Sequence, residues 1–186
     1  MALNLTDLEL CSIVDNQLPL TEFDCGMNDL NEFLREISMN YERELISKTF
    51  VFHDNSKIHA YFSLSNDNLT DKGNRSVWNK LSRKVDNAKR RKEYPAVKIG
   101  RLGVMNSTQS AGLGTEVLIT IIGIVLFINR SACRFLIVDA YNNERTINFY
   151  KKNGFQFLVG DDDKHDETRI MFLDLRPFYD ANSKED

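Results

Sequence analysis

The sequence has 186 residues, of which 42% are hydrophobic, and a net charge of −3 at pH 7. This size and composition predict one globular domain over residues 1–178, followed by a polar tail over residues 179–186. The longest apolar run, residues 117–128, is shorter than the about twenty residues that a membrane-spanning helix needs. The first residues also lack a basic region followed by an apolar run, so we expect neither a membrane span nor a secretory signal.

Cysteines and histidines are few and scattered. Cys11, Cys25 and Cys133 are odd in number and widely spaced, which is typical of reduced thiols and predicts a cytoplasmic protein. No Cys/His pair has the spacing of metal ligands, so the sequence predicts no metal site.

The first third of the chain predicts an extended segment, a helix and a hairpin. Residues 3–14 read as extended. Residues 27–44 predict a helix, because apolar side chains recur at helical spacing at Leu30, Phe33, Leu34, Ile37 and Tyr41. Residues 47–53 and 58–66 then predict two strands around the polar turn 54–57.

Residues 72–92, called the basic segment below, contain nine lysines and arginines and one acid, Asp86. The segment therefore carries +8 and the rest of the chain −11, which together give the net −3. Apolar residues at helical spacing predict a helix over residues 76–91. Its cationic face suits either solvent or an anionic partner, such as the phosphates of a cofactor or of an RNA.

Residues 96–105 predict a strand, which leads through the polar turn 106–110 into a long apolar helix. Gln109, Gly112 and Gly114 form the pattern Q-x-x-G-x-G at the start of that helix. Glycines let backbone N–H groups approach an anion, and a helix start attracts negative charge. The pattern predicts either a phosphate site or a plain turn, and it is not the P-loop of NTPases because no Lys-Ser/Thr follows.

The last third predicts a buried strand at residues 134–139 and a final hairpin formed by residues 155–159 and 169–175. The acidic connection between the hairpin strands, residues 160–168, reads as a solvated loop or as a surface that attracts a cationic substrate.

Three blocks in this order resemble the GNAT superfamily of N-acetyltransferases. The Q-x-x-G-x-G pattern after a strand is similar to the family's acyl-CoA pyrophosphate loop. A second block matches its N-x-x-A-x-x-F-Y helix and G-F turn through Asn143, Phe149, Tyr150, Gly154 and Phe155, with Thr146 where alanine is usual. The third, F-D-C-G at residues 23–26, resembles the branch related to toxins of toxin–antitoxin pairs.

The resemblance implies an α/β (α+β) fold, the GNAT fold, with a central mixed, mostly antiparallel sheet of about six to seven strands flanked by helices. In this chain an extra basic helix precedes the central strand. The implied cofactor is acetyl-CoA. The residues that the resemblance assigns to its binding are Leu102, Gly103, Val104, Gln109, Ser110, Ala111, Gly112, Leu113, Gly114, Thr115, Asn143 and Phe149.

Acetyl transfer needs a free amine, a stabilised oxyanion and a proton for the departing sulfur. The resemblance implies that Tyr150 protonates the sulfur, and a phenol with a pKa of about 10 stays protonated at neutral pH. A half-buried aromatic on an amphipathic helix is the structural alternative. For the general base the sequence offers Glu93, His53 and His59 and does not choose among them.

The toxin-related members acetylate the α-amino group of aminoacyl-tRNA, which loses its proton more readily than a lysine side chain. This chain differs from them in its acidic net charge and in Gly103 and Met105, where their strand end reads L-A-V-D. The acceptor therefore stays open between aminoacyl-tRNA, held by the basic segment, and a small-molecule or protein amine. A non-catalytic RNA-binding module is the alternative function, and a homodimer or an antitoxin-like partner is the expected assembly.

Overall fold

Seven β-strands form one mixed sheet, with the spatial order β1-β2-β3-β4-β5-β7-β6. The computed structural model describes residues 5–71, 75–83, 92–109, 112–129, 131–158 and 166–182. The predicted α/β class and strand number are confirmed. The strands are β1 (Glu9–Ser12), β2 (Lys48–His53), β3 (Ile58–Thr70), β4 (Glu93–Val104), β5 (Phe135–Tyr141), β6 (Gln156–Phe157) and β7 (Thr168–Asp174).

Two of the helical stretches contain a π-helical turn. Phe33–Ile37 joins α1 to α2, and Ile124–Ile128 continues α4. The helix predicted over residues 27–44 is confirmed, with an interruption that its apolar spacing does not reveal. The α-helices in the described ranges are α1 (Asn28–Glu32), α2 (Ser38–Arg43), α3 (Arg75–Ser82), α4 (Leu113–Gly123), α5 (Glu144–Lys152) and α6 (Arg176–Asn182).

The chain divides into two compact units. The first contains Met1–Ser65 and Ile99–Gly123, and the second contains Asn66–Lys98 and Ile124–Asp186. Each unit has its own hydrophobic cluster.

The core of the first unit is built around Tyr61. Its ring meets Phe23 edge-on at 5.3 Å, and its hydroxyl donates to the backbone oxygen of Leu30 at 2.7 Å. Phe33 and Leu34 are buried in the same cluster. Full burial of such a side chain contributes about 1.5–3 kcal/mol relative to exposure. The apolar face that predicted the helix is therefore the face that holds it to the hairpin.

The β2–β3 hairpin follows the sequence prediction. Its strands are antiparallel, with Phe50 opposite Phe62. The Asp54 carboxylate closes the turn by accepting from the backbone N–H groups of Ser56 at 2.7 Å and Lys57 at 2.9 Å. An aspartate that binds the following N–H groups is a typical turn-forming residue.

The second unit packs α3 on the sheet through Trp78 and Leu81, which are buried with Tyr94. The backbone N–H of Asp71 donates to the oxygen of Lys92 at 3.0 Å, so the chain enters and leaves the basic segment at adjacent points. The helix predicted over residues 76–91 is present as α3, and residues 84–91 lie outside the described residues.

The end of the chain contains a helix that the sequence did not predict. β7 pairs with both β5 and β6, so the predicted final hairpin is present. α6 then covers the first residues of the segment predicted as a tail, while residues 183–186 lie outside the described ranges. The same holds for residues 160–165 of the acidic loop.

In the part of the chain that the structure describes, no helix has the length and apolar character needed to cross a membrane. The described residues also contain no cluster of His, Cys, Asp and Glu that could hold a metal ion. All three cysteines are free thiols.

Candidate active site

The glycine pattern lies where β4 leaves the sheet. The Met105 N–H donates to the oxygen of His59 on β3 at 2.8 Å. The chain then forms a single 3-10 turn at Asn106–Thr108, and α4 begins at Leu113. The predicted order of strand, polar turn and apolar helix is confirmed, while Ser110 and Ala111 lie outside the described residues.

Gly112 shapes the start of α4. Its φ is +89°, in the left-handed region that favours glycine, and a Cβ added there would meet no atom of the described residues within 4 Å. Its carbonyl accepts from Thr115 N–H at 2.9 Å. The N–H groups of Leu113 and Gly114, in the first helical turn, have no acceptor inside the helix. Open space beside unpaired N–H groups at a helix start suits an anion.

Glu116 brings a carboxylate into the same first turn, and its charge would repel a phosphate. Its Oε2 accepts from the backbone N–H of Leu5 at 2.8 Å, which holds the side chain against the N-terminal 3-10 helix Leu5–Asp7. The sequence gives no signal for this contact, because the two residues are far apart along the chain.

Gln109 makes contacts that the sequence pattern does not reveal. Its side-chain Nε2 donates to the backbone oxygens of Val104 at 2.8 Å and Cys25 at 2.9 Å. Val104 ends β4, and Cys25 belongs to the F-D-C-G segment. The side-chain amide thus ties the glycine turn to two other parts of the first unit.

The F-D-C-G segment, Phe23–Gly26, is in turn held by α1. The buried side chain of Asn31 accepts from the Cys25 N–H at 3.0 Å and donates to Asp24 Oδ1 at 2.7 Å. Asp24 also accepts from the Gly26 N–H, the contact that contributes most to lowering the pKa of its carboxyl below the ordinary value. Sequence reasoning missed Asn31 and Asp24 as residues of this site.

The ring of Tyr61 leaves no room for a side chain at Gly103. A Cβ at this position would lie 2.5 Å from Cε1 of Tyr61 and 3.3 Å from Phe23. Side chains cannot approach so closely, so the ring of Tyr61 occupies the space that an alanine would need. The glycine at position 103, where alanine was expected from the resemblance, therefore has a packing cause.

The second unit contains α5, whose two ends are fixed by caps. Asn143 is the N-cap, and its side chain accepts from the Thr146 N–H at 2.9 Å. At the other end the N–H of Gly154 donates to Lys151 O, and that of Phe155 donates to Tyr150 O, both at 3.0 Å. This pair of bonds, with Gly154 at φ +86°, is a Schellman motif.

Tyr150 is buried in an aromatic environment within that helix. Its ring lies 5.1 Å from Phe149 and 5.2 Å from Phe155, edge-on in both cases. The contact with Phe155 is the apolar contact that accompanies a Schellman motif. Burial raises the pKa of Tyr150 above its ordinary value, so the hydroxyl stays protonated across the physiological range.

His59 is the best-defined of the three candidate bases. Its Nε2 lies 2.7 Å from Asp54 Oδ2, and its ring is almost wholly buried. The Ser56 hydroxyl and then His59 lower the pKa of Asp54 below its ordinary range. The Nδ1 atom has no hydrogen-bond partner within the described ranges.

The structure thus groups the predicted site residues in two sets. Leu102, Gly103, Val104, Gln109 and Gly112–Thr115 lie in the first unit, and Asn143, Phe149 and Tyr150 lie in the second.

Solved toxin structures share this architecture. AtaT complexed with acetyl-methionyl-tRNAfMet is 24% identical, with a TM-score of 0.75 over 93% of this chain and 98% of that chain. The chain has the GNAT fold. A mutant of AtaT with phenylalanine in place of a tyrosine, bound to the C-terminus of the antitoxin AtaR and acetyl-CoA, is 23% identical, with a TM-score of 0.72 and coverages of 92% and 95%.

A tyrosine-to-phenylalanine mutant of KacT is 22% identical and also matches this GNAT fold, with a TM-score of 0.76 over 94% of this chain and 99% of that chain. No family model matches the sequence. The predicted fold, taken from three short blocks of residues, is therefore confirmed by three-dimensional likeness over most of the chain.

Proposed function

We propose that this protein is an acetyl-CoA-dependent N-acetyltransferase that transfers the acetyl group to a primary amine. The observation that carries the proposal is the open start of α4, preceded by the left-handed Gly112, at the end of β4 in a GNAT fold. The AtaT structure that contains acetyl-CoA has the same fold and supports this choice of cofactor.

The residues of the first unit fit a pyrophosphate. The unpaired N–H groups of Leu113 and Gly114 provide donors, and Gly112 leaves space for a close approach. The one carboxylate in the first turn of α4, that of Glu116, accepts a hydrogen bond from the Leu5 N–H. When bound, acetyl-CoA supplies a thioester-activated acetyl group. Within the proposal, its holding residues are Leu102, Gly103, Val104, Gln109, Ser110, Ala111, Gly112, Leu113, Gly114, Thr115, Asn143 and Phe149.

Tyr150 is proposed as the general acid. Within the described ranges its hydroxyl makes no hydrogen bond, so the proton is available to an acceptor such as the departing sulfur. Its raised pKa means that the proton stays on oxygen until that sulfur carries charge. The aromatic contacts with Phe149 and Phe155 fix the ring and therefore the position of the hydroxyl oxygen.

The favoured acceptor is the α-amino group of an aminoacyl-tRNA. AtaT has been solved with acetyl-methionyl-tRNAfMet, and the basic segment of this chain supplies nine cations for a phosphate backbone. An α-amine with a pKa of about 8 also needs little help from a base. A small-molecule or protein amine is the second candidate. The proposed partner is an antitoxin-like protein, by analogy with the AtaT–AtaR structure, or a second copy of the chain. The proposed location is the cytoplasm.

The test is acetyl transfer from labelled acetyl-CoA to three sets of acceptors: charged tRNAs, the same tRNAs deacylated, and a panel of free amines. Label on charged tRNA alone supports the full proposal. Label on free amines alone supports the chemistry and rejects the tRNA. If no thioester is consumed and RNA still binds at low salt, the protein is an RNA-binding module and the enzymatic proposal is wrong.

A further inference from the structure

We infer that Gln109 is a positioning residue, which couples helix α1 to the glycine turn so that cofactor affinity depends on contacts remote from the cofactor. The inference rests on the proposed function. It concerns the interior of the first unit and assigns the first residue of Q-x-x-G-x-G to a bridging contact between protein segments.

The side chain of Gln109 uses both donors of its amide on the protein itself. A carboxamide nitrogen has two N–H donors. Here the nitrogen donates to Val104 O at 2.8 Å and to Cys25 O at 2.9 Å. The presence of two carbonyl oxygens also fixes which side-chain atom is nitrogen. Both donors are engaged by backbone carbonyls of the first unit, so the side chain acts on the cofactor through the position of the backbone.

The Cys25 carbonyl is a fixed point because the N–H groups on both sides of it are held, that of Cys25 by Asn31 and that of Gly26 by the Asp24 carboxylate. Asn31 is 6% exposed, and its Oδ1 accepts from both the Cys25 N–H at 3.0 Å and the Cys25 thiol at 3.2 Å. Its Nδ2 donates to Asp24 Oδ1 at 2.7 Å. The Asp24 carbonyl then accepts from the N–H of Asn106, at the start of the turn, at 2.9 Å.

These contacts form a continuous path of hydrogen bonds from α1 to the turn before α4. The path runs from Asn31 through Cys25 to Gln109, and Gly112 follows Gln109 by three positions along the chain. Three residues span at most about 10 Å, so the position of Gln109 restricts where the N–H groups of α4 begin. Linkage is reciprocal: cofactor that binds the ordered turn must also stabilise the Cys25–Asn31 contact.

The first test measures binding of CoA by calorimetry and amide hydrogen exchange of residues 112–116 without cofactor, in the wild type and in Gln109→Leu and Gln109→Glu. Leucine removes both donors, and glutamate places a carboxylate against two carbonyl oxygens. We expect CoA affinity to fall about tenfold in Gln109→Leu, since two hydrogen bonds are lost. A larger loss is expected in Gln109→Glu. Exchange at residues 112–116 should accelerate in both.

The controls are Gln17→Leu and Gln17→Glu, because Gln17 is an exposed glutamine of the same unit. Neither substitution should alter affinity or exchange. A lowered Tm in the Gln109 variants, with unchanged CoA affinity and unchanged exchange at residues 112–116, would show a merely structural role and overturn the inference.

The second test acts at the far end of the path. Asn31→Asp keeps the acceptor for the Cys25 N–H but replaces the donor to Asp24 with a second carboxylate, so it should also weaken CoA binding and accelerate exchange at residues 112–116. Saturating CoA should slow exchange of the Cys25 amide in the wild type and not in Gln109→Leu. Wild-type protein that binds no CoA would reject the proposed function, and the exchange of residues 112–116 without cofactor would still decide the inference.

Discussion

Tyr150 keeps its proton because it is buried, and this property is what the proposed reaction requires at neutral pH. Replacing Tyr150 with phenylalanine removes one oxygen and leaves the ring contacts with Phe149 and Phe155 in place. We expect kcat for acetyl transfer to fall by roughly 10² to 10⁴, with little change in the KM for acetyl-CoA. Steady-state kinetics at saturating acceptor measures both values.

The matched control is Tyr179→Phe, since Tyr179 lies on α6 in the same unit and its side chain is about half exposed. That variant should transfer acetyl groups at the wild-type rate. A Tyr150→Phe variant with wild-type kcat would exclude the phenol as proton donor.

At position 103 the packing of Tyr61 determines that the residue is glycine. In Gly103→Ala the new methyl group collides with the ring of Tyr61, so we expect a loss of about 1–3 kcal/mol in the free energy of unfolding. Urea denaturation measures it. Gly123→Ala is the control, because a Cβ there meets no described residue within 4 Å and alanine is the better helix former, so stability should rise by up to about 1 kcal/mol. Equal effects of the two substitutions would contradict the packing argument.

The residues of the site divide according to the range of their contacts. Gly112 and the caps of α5 act within a few residues, so the sequence pattern reports them. The contacts of Gln109 with Cys25 and of Glu116 with Leu5 join residues separated by 84 and 111 positions. Such partners leave no trace in local spacing, which is why Gln109 was predicted only as a cofactor ligand and why Asn31 was missed.

At the scale of elements, α2 and α5 end in the same way with different residues. The N–H of Leu45 donates to Glu42 O, and that of Ile46 donates to Tyr41 O, which is again the Schellman pattern. Leu45 adopts φ +58° at the position that glycine occupies in α5, and its side chain is 92% exposed. A leucine in the left-handed region is strained and here gains no packing.

Leu45→Gly should therefore stabilise the protein by up to about 1 kcal/mol, because the strain is relieved at the cost of a more flexible unfolded chain. Gly154→Ala should destabilise it by about 1 kcal/mol for the opposite reason. Thermal unfolding of the two variants gives the comparison. A lower Tm for Leu45→Gly would mean that the leucine makes a stabilising contact.

The ends of an element were predicted well where capping residues in the sequence mark them. They were predicted less well where the pairing of strands determines how far the strands extend. The N-cap Asn143 and the C-terminal Gly154 mark α5 directly in the sequence. β3 and β4 continue beyond their predicted ends, to Thr70 and from Glu93, because the two strands are hydrogen-bonded neighbours in the sheet. Pairing is a tertiary effect that alternation of residues cannot report.

For the whole molecule, the separation of charge is the property most relevant to the proposed acceptor. The KM for charged tRNA should rise steeply with salt, since phosphate contacts release counterions, while the KM for a free amine should change little. Arg83→Gln combined with Lys92→Gln removes two exposed cations of the basic segment and should lower the slope of log KM against log salt by about one to two.

Arg43→Gln combined with Lys152→Gln removes two exposed cations from the acidic remainder of the chain and serves as the control. Its salt slope should match the wild type. A KM for charged tRNA that is insensitive to salt would remove the basic segment from substrate binding.

The whole fold was predictable because three short blocks lie in the required order across the chain, and the likeness to AtaT and KacT confirms it. The two-unit division was not predictable. The basic segment lies inside one unit and does not mark the boundaries at residues 65, 98 and 123, which the pattern of three-dimensional contacts reveals.

The π-helical turn Phe33–Ile37 means that the α1–α2 stretch contains one residue more than a regular helix of the same length needs. Each residue of an α-helix turns by about 100°. Deleting the exposed Glu36 would thus convert the turn to regular helix and keep Leu30 and Met39 on the face that meets the core. A homologue shorter by one residue at this point should have the same fold, and its sequence would align with this chain only after a single-residue gap is placed there.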